Sequence, residues 1–390
     1  MLLRSIKIAS VLVLVAIAFA WHTKVDLYSV FAEDADAATM SALSEEIGRN
    51  FQARSTEFTV TYEGDNSQLS EQLPALIRQS LEGRDYVAYV LDSYVYTIRS
   101  WGDRSTIQLH AKYRESEEQT KVVQDSSRAI LSSIIHPEMT QHEKVKAIHD
   151  YVVGKLEYDQ SLQKYTAYEA VTEGTAVCQG YALLGYQLLK DAGLKARIVE
   201  GTVNTGDHAW NLVQIDGQWY HLDLTWDDPV TIQQQSSDGS MKENTKPDVI
   251  SYRYYLLSDE QIRKDHSWTR DYPQAPSSYK LSLDRAIAET TDSAGAEKLQ
   301  LLKQQVGLHW EEAAHTIRDA GQLRAKVQKA VASGADSMQF RYLNGEGLEA
   351  DLREAVERAS AEPVALSSYN AQYEPFGNDG SVLVTLQFND

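Results

Sequence analysis

Asp216-Gly217 sits between two runs of strand-forming residues, Asp207-His-Ala-Trp-Asn-Leu-Val-Gln-Ile215 and Gln218-Trp-Tyr-His-Leu-Asp-Leu-Thr-Trp226. A two-residue Asp-Gly link between such runs is among the strongest hairpin signals, and it leaves no freedom of register. The register places Trp210 opposite Asp223 and His208 opposite Thr225. Opposite residues share a face, as do residues two apart on one strand. His208 and Asp223 are therefore diagonal neighbours on one face, with Cα atoms ~7–8 Å apart and side chains within hydrogen-bonding reach. The other histidine on that face, His221, reads as a solvent-facing residue, with a supporting role behind Asp223 as the alternative.

The 390-residue chain has a single cysteine, Cys178, so no disulfide forms within it. Cys178 lies in Gly174-Thr-Ala-Val-Cys-Gln-Gly-Tyr-Ala-Leu-Leu184, and apolar residues then recur at 182, 183, 186 and 189 before Gly193. That spacing predicts a helix beginning at the cysteine. Unpaired N–H groups and the positive dipole end at a helix N-terminus favour a thiolate. A lone cysteine is more often a buried structural residue. Joined to a His–carboxylate pair, it becomes a candidate nucleophile: His208 takes the thiol proton, and Asp223 orients the ring and stabilises its charged form.

Three blocks carry a resemblance: Val177-Cys-Gln-Gly-Tyr-Ala182, His208-Ala-Trp-Asn211 and Trp219-Tyr-His-Leu-Asp-Leu-Thr-Trp-Asp-Asp-Pro229. Together they resemble the transglutaminase-like superfamily in its bacterial exported branch. Tyr254-Tyr-Leu-Leu-Ser-Asp259 and Asp265-His-Ser-Trp268 are similar to the segment that closes such domains. The resemblance covers 126–270 and implies a catalytic triad of Cys178, His208 and Asp223. It also implies an α+β, papain-like core, in which a cysteine-bearing helix packs on an antiparallel sheet. Animal-type enzymes have Gln before the cysteine and Trp after it, where this chain has Val177 and Gln179, a departure that leaves protein cross-linking and peptide or amide hydrolysis both open and implies no calcium requirement. No cofactor or metal is expected, because the chain has no phosphate loop, CxxC or HExxH. One oxyanion donor should be the Cys178 N–H. Tyr165 and Tyr168 are side-chain candidates for the other, with packing as the alternative role. Trp210 and Trp226 read as groove or core residues, and Asp227-Asp228-Pro229 as a family tail or a plain turn.

Around the core, order repeats. Residues 41–113 read helix, strand, helix, strand, strand, and the same order recurs after Gln322, with Tyr62 and Tyr342 ending corresponding strands. The expected division is an N-terminal α/β accessory module at 36–120, the catalytic domain at 126–270, and a helix plus duplicated α/β module at 281–390. Gln233 to Thr245 reads as an exposed loop, and Leu281 to Val306 as a helical run. Thr140-Gln-His-Glu143 is a capping box.

Met1 to Ala20 has Arg4 and Lys7, an apolar run, and Ala18-Phe19-Ala20, which is the layout of a secretory signal peptide at 1–20. The apolar run is shorter than the ~20 residues a membrane-spanning helix needs, with an uncleaved N-terminal anchor as the alternative. The expectation is a secreted or cell-envelope protein without a membrane span after cleavage. With 37 Lys plus Arg against 56 Asp plus Glu, the net charge of −19 argues against nucleic-acid partners. Hydrophobic residues at 43% and charged ones at 24% exclude wholesale disorder. The expected partner is a protein or peptide substrate, which the resemblance places at the cell surface or wall, attacked at an amide carbonyl through a thioester; transfer and hydrolysis stay open. The alternative is a non-catalytic envelope binding or assembly protein that uses the core as a scaffold.

Overall fold

The computed structural model describes residues 30–228, 250–359 and 368–389. The expected signal segment (1–20) and the expected loop Gln233 to Thr245 lie outside the described residues. The chain divides into two compact units after Val122.

In the first unit, α1 (Val30–Gln52) precedes β1 (Glu57–Glu63), α2 (Leu69–Ser80), the short α3 (Asp85–Val90), β2 (Leu91–Trp101) and β3 (Arg104–Tyr113). β3 is the middle strand, antiparallel to both neighbours. Strict alternation in β1 buries Phe58, Val60 and Tyr62. They join Ile47 and Phe51 of α1, Leu69, Leu73 and Ile77 of α2, and Ile107 and Leu109 of β3 in one apolar core.

The second unit follows α4 (Glu117–Ile134), which straddles the division. Next come α5 (Gln141–Lys155), β4 (Glu157–Tyr158), α6 (Ala167–Glu173), β5 (Thr175–Ala176) and α7 (Cys178–Asp191). β6 (Lys195–Val203), β7 (Gly206–Ile215) and β8 (Gln218–Leu222) form an antiparallel sheet with β7 in the centre. The Thr140 hydroxyl accepts the Glu143 N–H and the Glu143 carboxylate accepts the Thr140 N–H, so α5 starts on its capping box. Two-residue β4 and β5 pair in parallel, Tyr158 opposite Ala176, and thereby fix the chain just before Cys178.

The hairpin forms in the expected register. Asn211 pairs with Leu222 and Val213 with Tyr220, and both turn residues have positive φ, 49° at Asp216 and 80° at Gly217. The ladder stops at Leu222, one residue before Asp223, so His208 and Thr225 are not ladder partners. Asp223 instead starts a tight turn, its carbonyl accepting the Asp227 N–H at 3.3 Å.

Asn211 ties β7 to α7 by donating its side-chain N–H to the Ala182 carbonyl at 2.9 Å. Gly185 makes that close approach possible, because a Cβ there would lie 2.5 Å from Leu224 and 2.6 Å from Asn211. Trp210 and Leu212, one register step away, enter a second core with Tyr254, Leu257, Ile262 and Ala275.

α8 (Asp259–Ile262) is followed by α9 (Tyr279–Glu289) and α10 (Ser293–Gln305). The helical run expected over 281–306 is made of two helices, separated where the Asp292 carboxylate caps α10 through the Ala294 and Gly295 N–H groups. β9 (Thr316–Ile317), α11 (Ala320–Ala332), β10 (Ser337–Tyr342), α12 (Leu348–Ala359), β11 (Ser368–Phe376) and β12 (Ser381–Asn389) complete the chain. β12 is antiparallel to β10 and β11, as β3 is to β1 and β2. This sheet also carries β9, parallel to β10, for which the first unit has no counterpart among the described residues. No helix among the described residues is long and apolar enough to cross a membrane.

Candidate active site

Cys178 is the first residue of α7, with Val177 as its N-cap, and its side chain is partly exposed. In the first turn of α7 the Gly180 and Tyr181 N–H groups bond the Val177 carbonyl, at 2.9 and 3.2 Å. His208 is on β7 and is 6% exposed, while Asp223 is wholly buried. His208 Nε2 donates to Asp223 Oδ2 at 2.7 Å, and a hydrogen bond joins Cys178 to the same imidazole. Because Nε2 is committed to Asp223, Nδ1 is the nitrogen left for the thiol. The structure thus brings all three candidate residues together.

Burial alone would strip the His208 proton. The Asp223 charge and hydrogen bond, followed by those of Cys178, outweigh it and push the imidazole up to about 10. Burial also opposes ionisation of Asp223. The positive His208 and its hydrogen bond, with help from His266, nevertheless hold the carboxyl well below the usual carboxylate range. This is an arrangement in which a cysteine can attack a carbonyl while a protonated imidazole waits to protonate the leaving amine.

Asp223 is fixed from every side. Its Oδ1 accepts the Thr225 N–H at 3.0 Å and the Trp226 N–H at 3.2 Å. Its Oδ2 accepts His266 Nε2 at 3.1 Å in addition to His208. The sequence reading assigned His266 no role.

Two expectations change. His221 is fully buried, not solvent-facing: its Nδ1 accepts the Trp210 indole N–H at 2.8 Å and its Nε2 donates to Asp259 at 2.8 Å. Those two bonds require the Nε2–H tautomer, and burial holds this imidazole below its ordinary value. Asp227 and Asp228 are not a plain turn either; both are buried. Asp227 meets His149 Nε2 at 3.1 Å and accepts from Ser251 and the Tyr254 N–H, while Asp228 accepts the Tyr181 hydroxyl at 2.5 Å. Pro229 lies outside the described residues. Trp210 is core, whereas partly exposed Trp226 packs its ring 5.8 Å from that of His208.

Tyr158 is the tyrosine whose hydroxyl feels the Cys178 charge. Burial, then Cys178, pushes that phenol up to about 12, so it keeps a proton to donate at neutral pH. Its signal was weak in the sequence, because a two-residue strand has no periodicity to read.

Among the described residues, one group of side chains converges as metal ligands would: His208, Asp223 and His266, with ligand atoms within 4.8 Å of one another. Both imidazole Nε2 atoms are already engaged with Asp223 Oδ2, so a cation there would displace the proton that His208 shares with Asp223.

The α+β fold carries a helix-borne thiol beside a His–Asp pair. Residues 128–224 are a domain of the Transglutaminase-like superfamily. Kyphoscoliosis peptidase of Homo sapiens is 28% identical over 115 residues, which is 25% of this chain and 17% of that protein. Its Mus musculus counterpart is 26% identical over 122 residues, 27% of this chain and 18% of that protein. The chain thus spans less than a fifth of the length of these relatives. A solved structure titled as a TGase aligns at 15% identity over 67% of this chain and 75% of its own, with a TM-score of 0.28. A candidate cysteine protease from Cytophaga hutchinsonii aligns at 16% identity over 35% of this chain and 65% of its own, with a TM-score of 0.24.

Proposed function

We propose that this protein is a cysteine-dependent acyl-transfer enzyme acting on amide bonds of proteins or peptides, with Cys178 as nucleophile, His208 as general base and acid, and Asp223 as orienting carboxylate. The observation that carries the reading is the His208 imidazole, which bonds Cys178 and buried Asp223 at once.

In the reaction, the Cys178 sulfur attacks the amide carbonyl and the C=O electrons move to oxygen. The oxyanion is held by the Cys178 N–H and, in this proposal, by the Tyr158 hydroxyl. As the C–N bond breaks, His208 gives its proton to the departing amine, leaving a thioester on Cys178. Water or a second amine then attacks the thioester, loses its proton to His208, and releases the thiolate. The same proposal takes 126–270 as the catalytic domain, 36–120 and 281–390 as accessory modules of one kind, and the cell surface or wall as the place of work after export.

The test combines purified protein, a glutamine-bearing protein as acyl donor and a fluorescent primary amine as acceptor, beside a Cys178→Ala control. Label incorporation lost in the control means a transferase. Peptide cleavage or ammonia release without label, also lost in the control, means a hydrolase. If neither product depends on Cys178, the enzyme reading is wrong and a scaffold for envelope binding or assembly takes its place.

A further inference from the structure

A His–carboxylate pair needs one hydrogen bond on the carboxylate oxygen it uses, yet Asp223 Oδ2 has two, from His208 Nε2 at 2.7 Å and His266 Nε2 at 3.1 Å. With Thr225 and Trp226 N–H groups on Oδ1, all four lone-pair sites of the carboxylate are taken. We propose that His266 is a positioning residue for the Cys178 site, holding the Asp223 carboxylate in line with His208 by a second imidazole N–H on the same oxygen. The inference rests on the acyl-transfer reading above.

His266 is itself held at its far side. Its Nδ1 faces Asp265 Oδ1 at 2.6 Å, and the other Asp265 oxygen accepts the Tyr254 hydroxyl at 2.7 Å. A ring with a carboxylate oxygen at each nitrogen cannot turn without losing a charge-assisted hydrogen bond. Three aromatic rings close the remaining space, with centroids 4.5 Å away at Trp226, 5.0 Å at Trp210 and 5.5 Å at Tyr254. The line Tyr254–Asp265–His266–Asp223–His208–Cys178 is therefore continuous.

The backbone explains how a residue so far along the chain reaches the site. Ser267 bridges Thr202 on β6 through two hydrogen bonds, of 2.8 and 2.9 Å. That crossing needs Gly201, where a Cβ would lie 2.2 Å from the Ser267 carbonyl oxygen. His266 is thus laid over the face of β7 that carries His208, and it is wholly enclosed there.

Two functions can be separated. A residue that only fills space would change stability without changing thiol chemistry. A positioning residue would change the reactivity of Cys178 in a folded protein, and a side chain that restores the N–H would rescue it. The readout is the second-order rate constant of Cys178 alkylation by iodoacetamide at neutral pH, with folding followed by thermal melts; the chain's one cysteine makes the product unambiguous. His266→Ala is expected to slow alkylation about ten-fold, and His266→Gln, whose amide N–H reaches the Nε2 position, to return to within about three-fold of the native protein. If His266→Ala does not fold, Asp265→Ala decides, since it frees His266 without touching Asp223 and is expected to slow alkylation in the same direction. A folded His266→Ala or Asp265→Ala protein alkylated at the native rate overturns the inference, as does a Gln variant as slow as the Ala variant. A native thiol that reacts no faster than in guanidinium overturns the acyl-transfer reading itself, and the inference falls with it.

Discussion

His149 Nε2 stands 3.1 Å from Asp227 Oδ2, and both side chains are completely buried. The pair joins α5 to the turn that begins at Asp223, so it braces the carboxylate end of the candidate site from behind. Burial raises Asp227 above the usual carboxylate range even though His149, the Tyr254 N–H and Ser251 pull it down.

His149→Leu leaves the Asp227 carboxylate buried without its cationic partner. Removing one member of such a pair costs about 3–5 kcal/mol. Urea unfolding near neutral pH should show that loss. The deficit should shrink as the pH falls, because a carboxyl bound to its proton more tightly in the folded state is favoured there. A variant as stable as the native protein at both pH values would remove this brace from the account.

Tyr158→Phe tests the hydroxyl proposed as the second oxyanion donor. Loss of one oxyanion donor costs about 10²–10³-fold in kcat. The expected result is that loss with KM and the iodoacetamide rate unchanged, because alkylation forms no oxyanion. An unaltered kcat would return Tyr158 to a packing role.

pH dependence follows from His208, which holds its proton up to about 10 because Asp223 and then Cys178 outweigh burial. An imidazole raised above its ordinary value of about 6.5 adds stability in full below that value and loses it as the pH climbs towards 10. Asp223, held low, adds stability above about pH 4 and loses it in acid. Amide turnover, which needs the His208 proton, should fall on the alkaline side near 10. Asp223→Asn should bring that limb down by more than one pH unit and cut kcat by about 10³–10⁴-fold. An alkaline limb indifferent to Asp223 would contradict the assignment.

Zn²⁺ prefers imidazole nitrogen and carboxylate oxygen. At His208, Asp223 and His266 it would compete with the proton that the chemistry uses. Added Zn²⁺ is expected to inhibit turnover, and chelator to restore it; chelator alone should change nothing. Activation by Zn²⁺, or loss of activity on chelation, would show a metal role that the account does not contain.

The hairpin was legible because Asp216-Gly217 dictates a turn whose φ angles few other residues accept. That turn set the β7–β8 register and hence the approach of His208 to Asp223. The helix tip under Cys178 was legible from its apolar spacing. The end of the ladder at Leu222 was not, since there the Asp223 carboxylate turns back to accept the Thr225 and Trp226 N–H groups. His221 looked exposed because period-two reasoning assigns a face but not what covers it; the covering segment arrives through the Leu257 and Ser267 bridges. Asp227, Asp228 and His266 were unreadable for a related reason. Buried charge goes against residue preference, and only the tertiary partners reveal why it is tolerated.

The most direct test of the central claim is a burst titration with p-nitrophenyl acetate followed by intact-mass analysis. Attack of the Cys178 sulfur releases nitrophenolate and leaves an acetyl thioester. The account predicts a burst of one nitrophenolate per protein and a mass gain of one acetyl group at Cys178, both absent in Cys178→Ala and strongly slowed in His208→Ala. A native protein with no burst, or with a burst that survives in Cys178→Ala, would contradict it.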